Sequence, residues 1–226
     1  IAVAAAHGLP PLSALEQSKR LQWFGECVDW MVREGWITGD PMSKLVAPAP
    51  RKSQRDQDSR QAFSDAHLVL IFSAPWFARG RGELTLQGTY REFLPYYYWL
   101  PLLGLYTGAR SNELCQLTLR DLRQAPGGEW FLDFKEEGDK RLKTVNSRRL
   151  VPLHPVLVEL GLLEWRQRLE TAGHDRLFPE LRLDAAKGHS KDAVKWFSRF
   201  MAARGVPRNG QLVFHSFRHT FITAVL

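Results

Sequence analysis

"GLYTGARSNELCQLTLRDL", residues 104–122, changes its periodicity midway. Up to Thr107 the apolar residues belong to a helical run. Past the Gly108 turn, Ser111 to about Gln116 reads as a further helix, and from Leu117 the spacing shifts toward the alternation of a strand. The same stretch sets Arg110 directly behind a glycine turn, at the opening of a helix whose unpaired backbone N–H groups favour an anion.

Working outward, "LTLRDL" (117–122), "EWFLDF" (129–134) and "SRRLVPL" (147–153) read as three short strands, the last two joined by a highly charged connection from Lys135 to Asn146. Helical spacing surrounds this block. Upstream lie segments at about 64–73 and 90–107, the second broken by its prolines. Downstream, Pro155 opens a helix over about 155–171, Ser190 and Gly205 bracket another, and a last helix starts near His215. At the front, Ser13 and Glu16 have capping-box spacing, and Leu21, Phe24, Val28, Met31 and Val32 recur at helical intervals until Gly35. The expected fold is mainly α with a small antiparallel β-sheet (α+β), and no internal repeat is present. Between the first helix and the rest, "APAPRKSQRDQDSRQ" (47–61) is polar, proline-rich and aperiodic, and reads as a linker.

Composition narrows the class of partner. The 226 residues include 31 Lys and Arg against 24 Asp and Glu, a formal net charge of +7. Residues 1–50 hold four basic and five acidic groups, so the surplus lies in the remainder, where a polyanion would bind. Cys27 and Cys115 stand far apart in apolar helical patterns and read as buried, reduced thiols of a cytoplasmic protein. The longest uncharged run, Phe93 to Ala109, carries Pro95, Pro101, Gly104 and Gly108 and reads as core, not as a membrane span. The opening "IAVAAAH" has no basic leader or cleavage pattern, so no targeting segment is expected.

Three polar clusters fall close to the apolar pattern. They are Arg110 in "TGARSNEL", the charged hairpin bearing Lys143, and His215-x-x-Arg218 in "HSFRHTFITAVL". Residues three apart share a helical face, so His215 and Arg218 can address one ligand. Two guanidiniums, an ammonium and an imidazole suit a phosphodiester whose charge grows in a pentavalent transition state. Arginine fits because its planar fork donates two parallel hydrogen bonds and stays charged. Glu136, Glu137 and Asp139 lie together in the hairpin turn and read as solvated, not as a divalent-metal cluster, so the chemistry is expected to need no cofactor.

These motifs resemble those of the tyrosine recombinases, or phage integrases. "GLYTGARSNELCQLTLRDL" is similar to the family's first-arginine motif, "LKTVNSRRLVPLHP" to its lysine hairpin and "HSFRHTFIT" to its His-x-x-Arg motif, in the same order. "GWITGDPMSKL" (35–45) followed by a basic linker resembles the junction between the helical core-binding domain and the catalytic domain. The resemblance implies that residues 1–46 are the end of a core-binding domain, 47–61 a linker, and 62–226 a catalytic domain. It makes Arg110 and Arg218 the clamp on the scissile phosphate, Lys143 the general acid for the departing 5′ oxygen, and His215 an aid to proton transfer. Glu113 and His219 match supporting positions.

The family's nucleophilic tyrosine lies downstream of His-x-x-Arg. Tyr90, Tyr96, Tyr97, Tyr98 and Tyr106 all precede Arg110, so none inherits that role. The chain is therefore expected to stop before the nucleophile, to lack most of the core-binding domain and to be inactive alone. The whole protein would be a DNA-associated integrase, bacterial or phage-encoded, with duplex DNA and further copies of itself, as a tetramer, for partners.

Blander readings stand beside these. Arg110 could merely cap a helix or pair with Glu113, His215 and Arg218 could be a satisfied buried pair, and Lys140 rivals Lys143 within a run of cations. His215 and His219 lack the Glu and third ligand of a zinc site. "YYYW" (96–99) suits core packing better than base stacking. The alternatives in function are a type IB-like topoisomerase and a DNA-binding protein of the same fold without chemistry.

Overall fold

The computed structural model describes residues 12, 14–42, 60–79, 94–142, 147–206 and 210–225. The chain divides into two compact units, Ile1–Ser59 and Arg60–Leu226.

In the first unit, α1 (Ala14–Arg33) carries Glu16 in its first turn and Arg33 in its last, charges that complement the helix dipole. Gly35 follows at φ 74, a conformation a side chain would resist. Of the apolar residues repeating along α1, Val28 is buried while Phe24 and Val32 are exposed. Cys27 is exposed too, contrary to the expectation for both thiols, because it shares the outer face with Trp23 and Trp30; Cys115 is buried, and both are free.

The second unit begins with α2 (Asp65–Phe72), whose first turn is closed by Ser64 and His67 exchanging hydrogen bonds, and a short α3 (Pro75–Arg79) that the sequence pattern did not reveal. Next comes α4 (Pro95–Thr107). It runs through Pro101 without ending there, whereas a break was expected. Proline removes one donor, but Trp99, Leu100, Leu102 and Leu103 are all buried around it, and that burial outweighs one lost hydrogen bond. The helix stops at Gly108, left-handed at φ 59, whose N–H returns to the Gly104 carbonyl at 3.1 Å.

After α5 (Ser111–Cys115), the strand expected over 117–122 is instead a 3-10 turn, Leu119–Asp121. Asp121 Oδ2 accepts from both the backbone N–H of Thr118 at 2.8 Å and its hydroxyl at 2.9 Å, so a local side-chain bond closes the turn. Thr118 makes only an isolated antiparallel bridge to Arg176, and the sheet itself starts at Leu122. Strands β1 (Leu122–Gln124), β2 (Trp130–Phe134) and β3 (Arg149–Pro152) form an antiparallel sheet in sequence order, with Leu122 opposite Leu132, Leu132 opposite Val151 and Phe134 opposite Arg149.

Beyond the sheet, the single helix expected over 155–171 is two, α6 (Pro155–Glu159) and α7 (Leu162–Thr171), because Gly161 adopts φ 86 between them. Helices α8 (Lys191–Ala203) and α9 (Ser216–Val225) complete the unit. Its core is built on fully buried Trp99, Phe134, Phe178, Phe197 and Phe217. The protein is thus mainly helical with one small antiparallel sheet. Among the described residues no helix is long and apolar enough to cross a membrane.

One packing contact positions everything that follows. A Cβ on Gly104 would stand 3.1 Å from Phe217 Cδ2, and one on Gly108 only 2.6 Å from Phe221 Cδ1. Absent side chains on α4 therefore let α9 lie close against it.

Candidate active site

Arg110 occupies the cap position of α5 in extended backbone, two residues past the Gly108 turn. Glu113 reaches back to it, its Oε2 accepting the Arg110 backbone N–H at 2.9 Å and its Oε1 accepting from Arg110 Nη1 at 2.7 Å. With only five residues, α5 is too short to present a helix-end anion site, so the local positive character comes from side chains.

Glu113 is 2% exposed, and it serves a second arginine. Arg149 Nη2, from the first residue of β3, donates to Oε2 at 2.8 Å. Burial alone would push the Glu113 carboxyl up, but hydrogen bonds from Arg149 and Arg110 more than offset it and hold the group below the ordinary range. Ser147 ties the pair to the sheet. Its hydroxyl accepts from Arg110 Nη1 at 2.9 Å and its carbonyl from Arg149 Nη1 at 2.8 Å. The Arg149 guanidinium also lies over the Phe134 ring, 4.5 Å from its centroid.

From the far end of the unit, α9 brings His215 and Arg218. Arg218 Nη1 donates to the Gly108 carbonyl at 2.7 Å, which seats its guanidinium beside the turn that carries Arg110. His215, Arg218, Arg110, Glu113, Arg60 and Arg141 line one open cleft of about 630 Å³. The electrostatics report the crowding of cations. His215 is pushed down to about 4, first by burial and then by Arg60, His219, Arg218 and Arg110, so its imidazole is neutral at pH 7. Arg218 is lowered by burial and by Arg110 and Arg149. His219 stands one turn behind, its ring edge-on to His215 at 5.2 Å.

Arg110, Glu113, His215 and Arg218 are thus brought together. Lys143 lies outside the described residues. Its rival Lys140 is buried, its Nζ held by Asp121 at 2.8 and 3.1 Å, and it borders a different cleft together with Asp139 and Arg176. The stem of the hairpin is pinned to α5: Gln116 accepts the Arg141 N–H at 2.9 Å and donates to the Arg141 carbonyl at 3.1 Å.

Four contributors escaped the sequence reading. Arg149 and Arg141 were two cations among many in the hairpin. Ser147 lay inside the quoted hairpin motif with no role read for it, Arg60 carried no motif, and only the burial of Glu113, a charge needing partners, could have pointed to Arg149.

Four of the five tyrosines lie in the core or pack against it. Tyr96 is buried, and burial pushes its phenol far up. Tyr97 stacks on Trp196 at 4.2 Å, Tyr98 meets Trp99 edge-on at 4.9 Å, and Tyr106 packs on His154 at 4.5 Å. Tyr90 lies outside the described residues. Among the described residues no group of three His, Cys, Asp or Glu is placed to hold a metal ion.

Comparison with known proteins agrees with this architecture. The phage integrase family model matches residues 96–226. The XerH site-specific recombinase, solved bound to palindromic difH substrate in a post-cleavage complex, is similar at 19% identity over 95% of this chain and 57% of that one, with a TM-score of 0.57. The Tn1549 transposon integrase, in complex with circular intermediate DNA, is similar at 16% identity over 98% of this chain and 68% of that one, with a TM-score of 0.53. No curated protein matches by sequence. The chain spans just over half the length of the XerH structure, and at these identities the likeness is one of fold. A family match over more than half of its residues, on a fold shared with these two recombinases, establishes that the chain belongs to the phage integrase family.

Proposed function

We propose that this chain is the phosphate-activating part of a site-specific DNA recombinase, an integrase that cuts and rejoins duplex DNA through a 3′-phosphotyrosyl intermediate. The observation that carries the reading is the meeting of Arg110 with His215 and Arg218 on one cationic cleft, although 110 positions separate Arg218 from the Gly108 carbonyl it binds.

Arg110 and Arg218 each spend one Nη on the protein, and their other guanidinium nitrogens make no hydrogen bond among the described residues. Two such forks can take the non-bridging oxygens of a phosphodiester and hold the charge that builds on phosphorus. A tyrosine phenol attacks phosphorus, the P–O5′ bond breaks and a 3′-phosphotyrosine forms. Neutral His215 can accept the phenol proton, while Lys143 delivers a proton to the departing 5′ oxygen. In the second half a 5′ hydroxyl attacks the phosphotyrosine and the tyrosine regains its proton. One phosphoester replaces another in each half, so no energy cofactor is required. Glu113 orients Arg110, and His219 backs His215.

The attacking phenol is none of Tyr96, Tyr97, Tyr98 or Tyr106, which are packed in or against the core. We assign it to a segment outside residues 1–226, and residues 1–46 to a core-binding domain that, with a tetrameric assembly, grips the recombination site.

The rejoining half can be tested without the missing nucleophile. A DNA strand ending in a 3′-p-nitrophenyl phosphate, annealed beside a strand with a free 5′ hydroxyl, mimics the phosphotyrosyl intermediate. The 226-residue chain should ligate the two and release p-nitrophenolate, and Arg110→Ala should abolish this. A chain that binds the duplex without accelerating ligation would instead be a DNA-binding protein on this fold.

A further inference from the structure

We infer that Arg149 is a positioning residue of the phosphate clamp: by taking one oxygen of Glu113, it keeps that carboxylate from closing a two-pronged pair with Arg110. The inference rests on the reading of the cleft as a phosphodiester site.

A carboxylate facing a single guanidinium tends to accept two parallel N–H bonds from it, and an arginine so engaged has no fork left for another anion. Here the two oxygens are divided. Oε1 accepts from Arg110 Nη1 at 2.7 Å, while Oε2 accepts from Arg149 Nη2 at 2.8 Å and from the Arg110 backbone N–H at 2.9 Å. Ser147 Oγ takes the same Arg110 Nη1 at 2.9 Å, so Nε and Nη2 of Arg110 keep no partner among the described residues.

Arg149 is itself fixed on two further sides, by the Ser147 carbonyl at 2.8 Å and by the Phe134 ring beneath its guanidinium at 4.5 Å. Phe134 is its register partner on β2, so the sheet sets where the second cation stands. The sheet thereby has a task beyond packing. It supplies the charge that neutralises Glu113 and leaves Arg110 and Arg218 to the ligand.

The test uses the 226-residue chain with orthovanadate, a pentavalent phosphorus mimic, as probe. Melting curves establish folding, calorimetry gives the affinity, and carbon-13 NMR follows the Glu113 carboxyl. Arg149→Met should bind orthovanadate about tenfold more weakly or worse, the loss expected when a charge-assisted bond network is broken. Its Glu113 should titrate at higher pH than in the native chain, because burial is no longer opposed by the Arg149 hydrogen bond. In Arg149→Met/Glu113→Gln no carboxylate remains to capture Arg110, and affinity should return to within about threefold of Glu113→Gln alone. That double variant removes the buried charge pair together, so it decides the matter even if Arg149→Met does not fold. Native-like affinity in Arg149→Met, or a double variant more than about threefold weaker than Glu113→Gln alone, overturns the role of Arg149 and leaves the phosphate reading standing. A native chain that binds no orthovanadate overturns the phosphate reading itself, and the inference with it.

Discussion

The Nη1 of Arg218 donates to the carbonyl of Gly108 at 2.7 Å, and through this bond the last helix is docked onto the turn that carries Arg110. The contact is side chain to backbone, so it fixes the position of Arg218 whatever residue follows Gly108. It depends on how closely α9 approaches α4, which Gly104 and Gly108 permit.

Gly108→Ala should damage that docking. The position is left-handed, and the new Cβ would stand 2.6 Å from the Phe221 ring. Backbone strain and overpacking together should cost about 2 kcal/mol. Urea unfolding measures it, and an unchanged midpoint would show that α9 tolerates displacement.

Arg110→Lys separates grip from chemistry. An ammonium keeps the charge but cannot supply two parallel donors. Duplex binding should stay within about threefold, with a log–log salt slope near one unit per neutralised phosphate. Ligation of the p-nitrophenyl ester should fall by about 100-fold. Equal ligation by the variant would remove Arg110 from the clamp.

His215 gives a pH signature. Its folded-state value of about 4 lies below the ordinary 6.5, so between these limits the unfolded chain holds the extra proton. The contribution to stability is fully present above pH 6.5 and is lost as pH falls toward 4. His215→Gln should flatten that limb of a melting-temperature profile. A bound oligonucleotide, which favours the imidazolium, should move the NMR titration of His215 upward; a titration indifferent to DNA would place the ring away from the phosphate.

Lys140→Met tests the division of labour in the hairpin. Lys140 is 4% exposed and paired with Asp121, so removing its charge strands a buried carboxylate and should cost about 3 kcal/mol. Orthovanadate affinity should be unchanged in the folded fraction. A selective loss of affinity at native stability would return Lys140 to the list of phosphate-site residues.

What the sequence determined by itself was local or ordinal. Helical spacing marked α1, α2, α8 and α9, glycine chemistry marked the Gly108 turn, and the order of the Arg110, hairpin and His215/Arg218 motifs carried the family resemblance. These survive in one dimension because periodicity and turn preference act between residues a few positions apart. The fold decided the rest. That 119–121 turns instead of extending goes with Asp121 closing on Thr118, and whether Pro101 breaks α4 depended on the burial around it. That Lys140 is committed to Asp121 and that Arg149 shares Glu113 with Arg110 are pairings across 19 and 36 positions. Nothing in the spacing of the hairpin cations separates them. Only the low-dielectric interior, where each buried charge must find a specific partner, assigns one cation to Asp121 and another to Glu113.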